Sequence, residues 1–173
     1  LKNKGIILII VSLFLTYSCN SKNSKANIRI NAKDSNDVIA SYKNDDKEMN
    51  SAILLAKASF PSFLDVLKKG CNNCEKFNIK IRVAFSDNSG EHLWVDSLHF
   101  ENNKLAGILA SIPEKVDRLK LGDLIFINQD SVSDWMYIQN GKLIGGYTIK
   151  VVYDELDDSA KKEMERDLGA KIR

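Results

Sequence analysis

The run FNIKIRVAF, Phe77 to Phe85, alternates apolar and polar residues with a period of two. A helix cannot keep such a pattern on one face, but a strand must. Phe77, Ile79, Ile81, Val83 and Phe85 line one side, and Asn78, Lys80 and Arg82 line the other. This predicts a strand with one buried face and one wet face, which needs neighbouring strands and a covering layer. The neighbours follow at once. DNSG (Asp87 to Gly90) and ENNK (Glu101 to Lys104) have turn chemistry and separate two further strands, Glu91 to Phe100 and Leu105 to Ser111. Pro113 opens an irregular connection, and a fourth strand spans Leu124 to Asn128. Asn140-Gly141 then lies between WMYIQ and KLIGGYTIKVVY, the strongest short hairpin signal, because a type I′ turn needs positive φ at both central residues.

Beyond that turn, Leu143, Tyr147, Ile149, Val151 and Tyr153 are expected to continue as one strand. Gly145-Gly146 within it predicts a bulge or a close backbone approach. A first helix is predicted from Asp45, which forms a capping box with Glu48. Met49, Ile53, Ala56, Phe60, Phe63 or Leu64, and Leu67 give it an apolar face; Pro61 must kink it or start a second helix, and Gly70 stops it. A short closing helix is expected over Ser159 to Leu168. The order predicts an α+β fold, with the N-terminal helix packed on a curved antiparallel sheet of about five or six strands. The strand number and the Gly-Gly bend suggest partial closure toward a barrel.

The chain starts differently. Lys2 and Lys4 precede an uncharged apolar run, Gly5 to Ser18, shorter than the roughly 20 residues of a membrane span. This is the pattern of a secretory signal, and Ser18-Cys19 resembles a lipobox, where a bacterial lipoprotein is lipidated on the cysteine. Thr16 and bulky Tyr17 depart from the commonest form. Residues 1–18 are therefore expected to be a lipoprotein signal peptide, 19–44 a flexible polar tether, and 45–173 the folded domain. A short strand at Asn27 to Ile30 or Asp37 to Tyr42 fits within the tether. Of the 25 basic residues, two lie in the leader, so the mature chain carries 23 basic and 23 acidic residues. Net charge offers nothing to a phosphate backbone, and no nucleic-acid partner is expected. The expected location is the cell envelope, anchored through Cys19 and facing the periplasm.

Chemistry can be sought in three places. Cys71 and Cys74 suit a local disulfide in an oxidising compartment. A redox pair usually follows a strand and opens a helix, and this pair has the reverse order. A zinc site would need further ligands; His92 and His99 are an odd step apart on one strand and face oppositely unless a bulge intervenes. No metal and no cofactor is expected. The third place is the stretch SDWMYIQNGKLIGGYT, where Asp134, Trp135, Tyr137 and Tyr147 cluster in sequence. These residues serve either as turn and core or, with His92, as a contact surface for an envelope protein or a small ligand. Neither a phosphate loop nor a nucleophile motif nor a dinucleotide fingerprint occurs.

The segments SGEHLWV (Ser89 to Val95) and LKLGDLIFINQDSVSDWMYIQNGKLIGGYTIK (Leu119 to Lys150), with the helix before them, resemble domain of unknown function 2314, the YegJ-like family of bacterial proteins. The resemblance spans about Met49 to Leu156. Lys150 stands where the family usually has Arg, and the CNNC at Cys71 to Cys74 is outside its pattern. The resemblance implies a fold and a bacterial setting, but no activity. The reading is thus a lipid-anchored, non-catalytic binding module. Its rivals are a small hydrolase with His92 and Asp134 as acid and base, and a thiol redox protein using Cys71 and Cys74.

Overall fold

The computed structural model describes residues 27–30, 38–41, 46–85 and 89–173. The expected signal peptide, Cys19 and most of the expected tether lie outside the described residues. Within the tether, β1 (Asn27–Ile30) and β2 (Val38–Ser41) pair antiparallel, Asn27 opposite Ser41.

Helix α1 runs Lys47–Lys69. Its N-cap is Asp46, one residue after the predicted one, and Asp46 Oδ1 accepts from Met49 N at 2.9 Å. The helix passes through Pro61 without starting a second one, and it ends at Gly70 with φ 72°. Ala52, Ala56, Phe60 and Phe63 form its buried stripe.

Six strands follow: β3 (Cys74–Ala84), β4 (Gly90–Glu101), β5 (Lys104–Leu109), β6 (Leu124–Phe126), β7 (Val132–Gln139) and β8 (Lys142–Gly145). They lie in the order β6-β5-β4-β3-β7-β8, every neighbour antiparallel. The fold is α+β. The sheet does not close into a barrel, contrary to the expectation from its strand number. At one edge β6 is only three residues long. At the other, the C-terminal segment takes the free edge of β8: Leu143 N donates to Lys171 O, and Lys171 N to Gly141 O, both at 2.8 Å.

The face toward α1 holds the main core. Phe60, Phe63, Ile79, Ile81, Leu93, Val95, Trp135 and Tyr137 are buried there, each such side chain contributing roughly 1.5–3 kcal/mol. The Phe63 ring centroid lies 5.1 Å from that of Trp135, and Trp135 Nε1 donates to Ala56 O at 2.9 Å. The same strand turns Met136 and Ile138 to the other face, against Leu143, Ala170 and Ile172.

The stretch after the Asn140-Gly141 turn departs from the sequence reading. The turn is as predicted, with φ 51° and 71° at its two residues. Strand β8, however, stops at Gly145, and Tyr147–Glu155 is helix α2, followed by α3 (Asp158–Leu168). The apolar residues of α2 that matter are Ile149, Val152 and Tyr153, at helical rather than strand spacing. What winds this segment is a buried acceptor supplied by another strand.

Candidate functional site

That acceptor is Asp134, fully buried on β7. Its Oδ1 takes Trp135 N at 2.8 Å and Tyr147 N at 3.1 Å; its Oδ2 takes Thr148 N at 2.8 Å and Thr148 Oγ1 at 2.6 Å. Gly146, the helix N-cap, has no side chain to do this, so Asp134 caps α2 from a distance and matches its dipole. Four donors saturate the roughly four lone-pair directions of a carboxylate. Asp134 is therefore placed to hold α2 on the sheet, with no lone pair left to move a proton.

Beside it the β3–β7 ladder slips. Lys80 pairs with Asp134 and Ile81 with Val132, leaving Ser133 as a bulge. Ser133 is 2% exposed, and its hydroxyl donates to Lys80 O at 3.2 Å. A carbonyl can only accept, so the Ser133 oxygen has lone pairs to offer, and His92 Nδ1 lies 2.8 Å away. With the Ser133 proton given to Lys80 O, Nδ1 is the donor to Ser133 and Nε2 is unprotonated. No hydrogen bond to Nε2 occurs among the described residues. His92 is an exposed residue at the wet face, yet its pKa falls to about 4: desolvation is the largest cause, followed by the charges of Lys80, Arg82 and Lys57. Lys80 Nζ donates to Thr148 Oγ1 at 2.9 Å and lies 4.7 Å from the Trp94 ring centre. The result is an open groove in which Lys57, Lys80, Arg82, Trp94 and Ser133 surround His92.

Of the five binding candidates read from sequence, His92 alone is exposed. Trp135 and Tyr137 are 4% and 7% exposed, with stacked rings 6.2 Å apart in the α1 core, and cannot offer a contact surface. Tyr147 is half-buried, edge-on to Trp135 at 5.8 Å. Asp134 does not share a hydrogen bond with His92; its neighbour Ser133 does. Glu91, adjacent to His92, turns its carboxylate to Glu114 N and Lys115 N at 2.7 and 3.1 Å, fixing the connection after β5. The residues missed in the sequence are Ser133 and Lys80. Nothing in the primary structure marks Ser133 as a bulge, because a bulge is defined by the partner strand.

The two histidines also differ from the opposed pair expected. Ser97 has φ 48° at a register shift between Asp96 and His99. Leu98 packs into the α1 core, so the bulge puts His99 on the same side as His92. Among the described residues, no three His, Cys, Asp or Glu side chains could hold a metal ion. Cys71 and Cys74 are joined by a disulfide between α1 and β3. Within that loop, Asn73 Nδ2 donates to Asn140 Oδ1 at 3.0 Å and Asn140 N to Asn73 O at 3.1 Å, which ties the loop to the β7–β8 turn.

A single α1 on a six-stranded antiparallel sheet, with α2 capped by a strand carboxylate, defines the domain. Residues 46–172 match the family model described as "Uncharacterized protein conserved in bacteria (DUF2314)", and the chain belongs to that family. It is similar to "Uncharacterized protein YegJ" of Escherichia coli (strain K12), 27% identical over 169 residues, 98% of each chain. It is also similar to a protein named as an ankyrin repeat protein in Neisseria meningitidis serogroup B (strain ATCC BAA-335 / MC58), 29% identical over 73 residues. That match covers 42% of this chain and 29% of the other. No solved structure matches it.

Proposed function

We propose that this chain is a lipid-anchored protein of the bacterial cell envelope, and that its domain is a non-catalytic module that binds a small ligand at His92. The observation that carries the binding reading is the groove around His92, where one ring nitrogen is held by Ser133 and the other has no hydrogen-bond partner among the described residues. Perturbed titratable groups in a groove mark functional sites more often than they occur by chance. Anchoring is supported by Lys2, Lys4, the apolar Gly5 to Ser18 and Cys19. The Cys71–Cys74 disulfide supports an oxidising compartment.

The hydrolase reading has less support. Asp134 is saturated by its four donors, and the Ser133 hydroxyl is buried and spent on Lys80 O. A redox role is disfavoured because the disulfide lies where α1 ends, and a helix C-terminus disfavours a thiolate.

The test uses the full chain in non-ionic detergent, presented with sugars, amino acids, short peptides and small oxyanions. Binding is read by thermal shift and by Trp94 fluorescence, with His92→Ala as control. At least one class should bind to the wild type and lose affinity in the variant. If no class binds, or binding ignores His92, the module reading fails. Anchoring is tested separately: labelled palmitate should enter the wild-type chain in cells but not Cys19→Ser, and equal labelling would refute it.

A further inference from the structure

We infer that the His92 groove takes a small oxyanion that carries its own hydrogen-bond donor, with hydrogen phosphate as the simplest case. This rests on the binding-module reading above and adds the class of ligand.

Two features of one site specify the chemistry. The first is charge. The groups whose charge acts on His92 are all cationic: Lys80 and Arg82 on β3, and Lys57 on α1. Lys57 and Lys80 are already positioned by hydrogen bonds, Lys57 Nζ to Asp130 O at 3.2 Å and Lys80 Nζ to Thr148 Oγ1 at 2.9 Å. The site needs neither to be unpartnered, since an ammonium has three donors. Carboxylates do occur nearby. Asp134 is consumed by α2 and Glu91 by the loop amides, while Asp96, Glu114, Asp130 and Asp167 line the wider groove. None of these is a principal influence on the imidazole.

The second feature is a fixed acceptor. The Ser133 network assigns the proton to Nδ1, so Nε2 presents a lone pair to the groove. The same cations and desolvation hold the ring neutral at pH 7. An anion with no donor would set its own lone pairs against that of Nε2. An anion with an O–H satisfies Nε2 with that hydrogen and the cations with its other oxygens. Sites built to pair with a donor discriminate strongly against analogues that lack it. Hydrogen phosphate therefore fits. Sulfate does not, nor does a phosphodiester lipid headgroup, whose phosphate has no proton.

The experiment follows the His92 ring nitrogens by NMR in the full chain in non-ionic detergent at pH 7. The chain has two histidines, and His99→Gln assigns the signals. Inorganic phosphate should shift Nε2 saturably, and sulfate should bind at least about tenfold more weakly. Arg82→Ser and Lys57→Ser should each weaken phosphate by roughly threefold or more, as loss of a charge-assisted contact requires. Vesicles of phosphatidylglycerol should not compete. Equal binding of sulfate and phosphate would overturn the inference, because the site would then read charge alone. Competition by the vesicles would overturn it as well. If a sugar or peptide moves the His92 signal and phosphate does not, the inference falls while the module reading stands. If nothing moves it, both fall.

Discussion

Replacing Asp134 by Asn changes one atom and should unsettle a whole helix. The side chain is fully buried and holds four donors, Trp135 N, Tyr147 N, Thr148 N and Thr148 Oγ1. An amide keeps one acceptor oxygen and sets an N–H₂ where the other was. Turned one way, the N–H₂ faces the amides of Trp135 and Tyr147. Turned the other, it faces Thr148 N and the hydroxyl, and the hydroxyl can rotate to accept. The second orientation is the milder and still leaves Thr148 N without a partner. A buried unsatisfied donor costs about 1–3 kcal/mol, and the remaining bonds lose the strengthening a charged acceptor gives. A loss of about 2–4 kcal/mol follows, against a total stability of about 5–15 kcal/mol for a domain of this kind. With about 3–5 °C per kcal/mol at this size, Tm should fall by roughly 6–20 °C. Urea unfolding should show a lower midpoint at unchanged slope. Asp134→Ala should be worse, as it leaves every donor unmet. If Asp134→Asn unfolds within about 0.5 kcal/mol of wild type, the helical winding of Tyr147–Glu155 does not depend on this cap, and the argument is wrong.

Three further outcomes are expected. Gly145 has φ 72°, and a Cβ there would fall on the Trp135 carbonyl oxygen and ring, so Gly145→Ala should destabilise by about 2–4 kcal/mol in the same urea assay; a neutral result would mean β7 can move. Glu165 takes Lys171 Nζ at 2.6 Å, Tyr153 OH at 3.1 Å and Ile172 N at 3.2 Å, and the Lys171 bond first, then the Ile172 amide, hold its carboxyl below its usual value. That support is present above the unfolded carboxyl value and is lost as pH falls through the lower folded one. Glu165→Gln should therefore speed hydrogen exchange at Leu143, whose amide is bonded to Lys171 O, and unchanged exchange there would refute the clamp. His92 titrates at about 4 when folded and near 6.5 otherwise, so between these values the unfolded chain binds more protons. Its contribution is complete above about 6.5 and is lost as pH falls toward 4. Stability against pH should be flatter over that window in His92→Gln, and identical slopes would contradict it.

Much of this molecule is local and was legible. Alternation along Phe77 to Phe85 placed β3, because a strand's side-chain period is intrinsic to its backbone. Asn102-Asn103 and Asn140-Gly141 placed two hairpin turns, because these residues tolerate the positive φ the turns need. The stripe through Met49, Ile53, Ala56, Phe60 and Phe63 placed α1 for the same kind of reason, although packing buries Ala52 rather than Met49 or Ile53. Where the reading failed, the deciding partner was remote. Tyr147 to Tyr153 carries β-branched and aromatic residues and reads as a strand, but it lies within reach of a carboxylate thirteen residues upstream that caps a helix. The aromatic cluster reads as a surface or a core equally well, and α1 decided for core by covering it. His92 and His99 were separated by counting, and a bulge at Ser97 restored them to one side. The His92 groove itself needs β3, β4, β7 and α1 together. By itself, then, the sequence determined the elements whose geometry is carried by their own residues. The tertiary structure alone decided the cap, the bulges, the open sheet and the site, because each depends on groups that only folding brings within a hydrogen bond of one another.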